Sequence, residues 1–159
     1  MYDYAKNFEH EIESIEAKPS FGNIIVWKVI YSTPDKYYVN AIRLGLDYKI
    51  YSGDSIEKLD ISKSFPWLKM NSQQAKDIEK FRWFSNGYLG VAKNNNNIIY
   101  DVRFSTIPNQ AEGLWGIKLD KKKNDFEHIE YITNRKRDMD RFNILIDMII
   151  GTHENQKIH

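Results

Sequence analysis

Tyr88-Leu89-Gly90-Val91-Ala92-Lys93, Asn94-Asn95-Asn96-Asn97 and Ile98-Ile99-Tyr100-Asp101-Val102-Arg103-Phe104-Ser105 form the stretch on which the fold class turns. In the last of these segments Ile98, Tyr100, Val102 and Phe104 fall on one side of an extended chain, and Ile99, Asp101, Arg103 and Ser105 on the other. That period of two is the signature of a strand. Asparagine tolerates left-handed turn conformations, so the run of four joins this strand to residues 88–93 as an antiparallel neighbour. Residues 114–119 read as a further strand of the same meander.

Working outward, Ser72 is placed to cap a short helix whose buried stripe is Ala75, Ile78 and Phe81 and which ends before Asn86-Gly87. Residues 45–70 hold Gly45, Gly53 and Pro66 among short apolar runs and read as a long connection with one edge strand. Residues 23–31, β-branched and aromatic on both faces, predict a central strand. Thr33-Pro34-Asp35-Lys36 supplies a turn, and residues 37–44 return as the second arm of a hairpin. Phe8, Ile12 and Ile15, set among Glu9, Glu11, Glu13 and Glu16, predict an amphipathic helix over residues 4–17 that Pro19 ends. Met139, Phe142, Ile146 and Ile149 trace a carboxy-terminal helix stopped by Gly151. The expected fold class is α+β: a single antiparallel sheet of about five to six strands flanked by an amino-terminal and a carboxy-terminal helix. Residues 1–151 are expected to form one soluble domain, and residues 152–159 a polar tail.

Composition fits that picture and narrows the chemistry. The chain has 159 residues, 42% of them hydrophobic and 28% charged, enough for one core and a well-solvated exterior. Lysine and arginine number 23 against 22 acidic residues, a net charge of +1 that gives no global field to gather nucleic acid. The absence of cysteine excludes thiolate zinc sites, disulfides and cysteine nucleophiles. The most apolar runs, residues 24–31 and 144–150, are too short to span a bilayer, which takes about 20 apolar residues. Residues 1–16 are acidic and helical in pattern, unlike a secretory signal.

No metal centre follows from the histidines. His10, His128, His153 and His159 are not paired on a common helix face, and His153 and His159 fall in the expected tail. No phosphate loop or nucleophile elbow is present, so the catalytic residues stay unassigned. Asp101 and Arg103 share a strand face. They suit a polar ligand, or an acid and its electrostatic partner, or an ordinary ion pair. Trp27, Trp83 and Trp115 suit stacking on a ligand or filling a core. Lys121-Lys122-Lys123 and Arg135-Lys136-Arg137 are basic, but acidic residues are interspersed among them.

Two stretches resemble a known family. Ala17-Lys18-Pro19-Ser20-Phe21-Gly22-Asn23-Ile24-Ile25-Val26-Trp27-Lys28-Val29 is similar to the Pro-x-Pro-x-Asn-x-x-x-Trp-Arg-Val segment in the soluble carboxy-terminal part of YdjM-like membrane-bound metal-dependent hydrolases. Phe81-Arg82-Trp83-Phe84-Ser85-Asn86-Gly87-Tyr88 and then Ile99-Tyr100-Asp101-Val102-Arg103-Phe104 resemble that family's Arg-Phe-Ser-x-Gly and Asp-x-Arg-Tyr/Phe elements, in the same order. Ser20 and Phe21 replace the usual second proline arrangement, and Lys28 stands where arginine is common. The resemblance implies an accessory domain of a bacterial inner-membrane hydrolase that engages substrate or a partner, with the divalent metal and the hydrolytic chemistry in a transmembrane part absent from this chain. The implied partners are the remainder of the same polypeptide, a membrane surface or another protein. Candidate ligand-binding residues are then Asp101, Arg103, Trp27 and Asn23. Two alternatives stay open: a self-contained hydrolase using Asp101 and Arg103, and an interaction module without chemistry.

Overall fold

The structure is a computed structural model and describes residues 1–134 and 139–154. The backbone clusters into two compact units. The first comprises Met1–Ser55, Ser105–Ala111 and the described part of Lys136–His159; the second comprises Ile56–Phe104 and the described part of Glu112–Arg135. The architecture is α+β with antiparallel pairing. Nine strands are present among the described residues, more than the five to six expected.

In the first unit a short helix α1 (Tyr2–Lys6) precedes four strands, β1 (Ser14–Pro19), β2 (Val26–Ser32), β3 (Lys36–Arg43) and β4 (Lys49–Tyr51), each antiparallel to the one before. The expected helix over residues 4–17 is therefore wrong beyond its first turn. Glu9 takes a left-handed conformation with φ 57°, and Ser14 to Pro19 pair with Ser32 to Trp27 instead. That ladder satisfies backbone groups across six residue pairs, and Pro19 is harmless at the end of an edge strand. The β2–β3 hairpin forms as expected, although its first strand starts at Val26 rather than residue 23.

Helix α4 (Met139–Ile150) closes this unit. Its buried face is Leu145 and Met148, with Ile144 and Ile149 half-buried; Met139 and Phe142, expected in the stripe, are exposed. The facing residues decide the rotation, because Val26, Ala41, Tyr51 and Ile107 form an apolar floor that receives Met148, and the Tyr51 hydroxyl donates to Met148 O at 3.1 Å. Gly151, at φ 98°, ends the helix as expected. Of the expected polar tail, residues 152–154 fold back on α4, His153 N donating to Asp147 O; residues 155–159 lie outside the described residues.

The second unit runs through β5 (Ser55–Lys58), α2 (Ile61–Ser64), α3 (Gln73–Phe84), β6 (Leu89–Val91), β7 (Ile98–Asp101), β8 (Trp115–Lys118) and β9 (Glu130–Thr133). Strands β5 to β9 pair in sequence, all antiparallel. Residues 45–70 thus hold two strands and a helix rather than one edge strand. Helix α3 is capped as expected, Ser72 Oγ accepting from Ala75 N. Its Ala75, Ile78 and Phe81 pack with Phe65, Leu89, Ile99, Ile117 and Leu119 into one core. No helix among the described residues is long and apolar enough to cross a membrane.

Candidate functional site

The alternation of residues 98–105 set Asp101 on a polar face, and the structure corrects this. Ile99 and Asp101 on that side are both fully buried, as is Val102 on the other. Asp101 is 0% exposed, and its carboxylate accepts from Arg103 three times: the main-chain N and Nε reach Oδ1 at 3.0 Å each, and Nη2 reaches Oδ2 at 2.7 Å. Nη2 also donates to Phe84 O at 2.7 Å, tying the end of α3 to the segment after β7. The guanidinium carbon lies 5.8 Å from the Phe84 ring and 5.4 Å from the Phe104 ring. Arg103 therefore links a buried carboxylate, a helix-end carbonyl and two aromatic faces. Trp115 packs edge-on against both rings, whereas Trp83, expected to fill the core, is 86% exposed.

Asn23 and Trp27 belong to the first unit and do local work. Asn23 Oδ1 accepts from Ile25 N at 3.0 Å and Val26 N at 2.7 Å, while its Nδ2 donates to Ser20 Oγ. This is an Asx turn that holds the β1–β2 loop. The Trp27 Nε1 donates back to Ile24 O at 2.9 Å, with the indole half-buried. Next to it, Lys28 is buried although charged, and its Nζ donates to Ser105 Oγ and Gln110 O at 2.8 Å each. The resemblance motifs are thus built largely from residues that fasten loops.

Sequence reasoning missed one pair altogether. Asp77, on α3, is buried, and its Oδ2 lies 2.7 Å from Nδ1 of His128, which follows in the chain 51 residues later. A carboxylate only accepts, so Nδ1 carries the hydrogen and Nε2 is left as the basic nitrogen on a largely exposed ring. Gln73 Nε2 and Ile129 N complete the shell. Burial pushes the Asp77 carboxyl up, but hydrogen bonds from Gln73, His128 and Ile129 outweigh it and hold the acid below its ordinary range. Chemically the dyad can fix one tautomer of a surface base. The sequence offered little signal beyond Asp77 standing next to Ile78 of the apolar stripe, and Gln74 is buried on the same helix as well.

In the first unit His10 Nδ1 meets the Tyr31 hydroxyl at 2.8 Å, and its ring lies 4.1 Å from that of Tyr38. Burial pushes the Tyr31 phenol above its usual value, with Tyr4 and Tyr38 adding to the shift, so it stays neutral. The second unit has an open cleft of about 720 Å³ lined by Leu59, Ile61, Phe65, Leu68, Met70 and Arg82. The first has a polar cavity of about 130 Å³ among Ser52, Asp54, Asn109, Gln110 and His153. Neither is lined by Asp101 or Arg103.

The resemblance places its divalent metal outside this chain. No group of three or more His, Asp or Glu among the described residues is arranged to hold an ion. No family model, curated protein or solved structure matches the chain.

Proposed function

We propose that this chain is an accessory domain of a membrane-bound metal-dependent hydrolase, engaging substrate or a partner while the metal and the bond-breaking chemistry reside in a transmembrane part that this chain lacks. One observation carries the reading: Asp101, the acid in the resemblance motif, is fully buried and closed by three donors from Arg103. To serve as a general acid or base it would have to reach the proton of a ligand directly or through one water. Asn23 is likewise occupied by two main-chain amides. Residues so placed hold loops in shape, which fits an accessory domain.

The test is hydrolysis of simple phosphomonoesters and phosphodiesters by the chain alone, with magnesium, manganese or zinc supplied. No turnover above buffer is expected. Turnover that disappears in Asp101→Asn while the variant keeps its circular dichroism spectrum would overturn the reading in favour of a self-contained hydrolase.

A further inference from the structure

The strand register brings two loops to one end of the first unit. Pro19 pairs with Trp27, Val26 with Arg43 and Arg43 with Lys49, so residues 20–25 and residues 44–48 are the adjacent turns of β1–β2 and β3–β4. Leu44 N donates to Ile25 O at 2.8 Å, fastening one turn to the other. Both carry large apolar side chains pointed at water. Phe21 is 83% exposed, Ile24 79% and Leu46 107%, with Tyr48 beside them at 74%. A side chain as exposed as Leu46 has no neighbour to shelter it, and a Cβ built on Gly22 would meet nothing within 4 Å. These are projecting tips, not a flat face.

Positive charge lies directly behind the tips. Arg43 Nε donates to Ile149 O at 2.9 Å, and Lys49 Nζ donates to Gly151 O at 3.2 Å and His153 O at 2.7 Å. Their partners in these contacts are main-chain carbonyls at the end of α4, where the helix dipole is negative, and none of the three is a carboxylate. The same contacts bring the end of α4 to this place, with Ile150 exposed. Asp47 is the one acid within residues 43–49, between Arg43 and Lys49. At the opposite end of these strands stand Glu13 and Asp35. An apolar tip with an amphipathic tyrosine, backed by Arg43 and Lys49 and carrying the single acid Asp47, has the pattern of a surface that enters the headgroup and upper acyl layer of an anionic bilayer.

We infer that the first unit docks on an anionic lipid surface through Phe21, Ile24, Leu46 and Tyr48, with Arg43 and Lys49 facing the headgroups. The docking builds on the accessory-domain reading by naming its partner, but the two fail separately: the phosphoester assay decides the first and vesicle binding the second.

The experiment is flotation of the full chain with vesicles of phosphatidylcholine alone and of equimolar phosphatidylcholine and phosphatidylglycerol, at low and high salt. Binding to the anionic vesicles is expected, weakened by salt. Leu46→Ser and Phe21→Ser should each reduce it by roughly tenfold or more, as loss of a buried large apolar side chain requires. Trp83→Ser removes an equally exposed aromatic from the second unit and should leave binding unchanged. Absence of binding by the parent chain, or equal loss in Trp83→Ser, overturns the inference. So does a concentration-dependent dimer in sedimentation equilibrium that Leu46→Ser abolishes, because the tips would then be covered by a second copy.

Discussion

Asp101 is 0% exposed, and replacing Arg103 with alanine would leave its carboxylate only the main-chain amide of residue 103 among its three present donors. The side chain of Arg103 is itself 13% exposed, so the pair is screened little by water. Stranding one member of such a pair costs about 3–5 kcal/mol, against about 1 kcal/mol or less for a solvated surface pair. For a chain of this size each kcal/mol shifts the thermal midpoint by about 2–4 °C, which places the expected fall at roughly 6–20 °C. Asp101→Ala should fall comparably, since it strands the guanidinium. The double variant should lose less than the sum of the single changes, with a coupling of about 1–3 kcal/mol. Thermal unfolding followed by far-ultraviolet circular dichroism, with all four proteins in one buffer, reads each quantity. If both single variants melt within about 2 °C of the parent, the buried-pair argument is refuted and with it the structural role assigned to the motif.

Two further predictions use sites outside that pair. Asp77 is held below its ordinary acidity, so its stabilising contribution is complete above the ordinary aspartate value of about 4 and is lost as pH falls through the lower folded value. Acid unfolding of Asp77→Asn should accordingly be shallower below about pH 4, and nitrogen shifts of the His128 ring should move away from the Nδ1–H tautomer; an unchanged ring spectrum would disprove the dyad. A Cβ at Gly53 would collide with the main-chain oxygens of Asn109 and Val39, neither of which can swing aside. Gly53→Ala should cost about 3 kcal/mol by overpacking, measured by urea unfolding, and a loss below about 0.5 kcal/mol would contradict the close approach.

The parts of the fold that local signals specify were legible. Ser72 announces α3 because a cap hydroxyl and an apolar stripe coincide, and the β2–β3 hairpin announces itself because a proline turn separates two β-branched runs. Residues 14–19 were misread because Ile12 and Ile15 satisfy a helical spacing by accident, while the strand is selected by its partner β2, which local periodicity cannot see. Strands β4, β5 and β9 have three or four residues each, too few to display a period. At the candidate sites, Asp101 and Arg103 could be found because they are two residues apart on one strand. Their burial could not, since it depends on what packs over both faces of β7. Asp77 and His128 are separated by 51 residues, and nothing along the chain couples them before the fold does.

The chain leaves its first unit at Ser55, returns to it for Ser105–Ala111, leaves again, and comes back only in the segment that holds α4. Synthesis on a ribosome proceeds from the amino terminus, so β2 and β3 emerge long before the helix that covers them. Until Leu145 and Met148 arrive, Val26, Ala41 and Tyr51 have no apolar lid from α4. The second unit has no such wait, being complete once β9 has emerged. The later-starting unit is thus ready first, and the earlier one stays open to chaperones or to premature strand pairing until α4 has emerged.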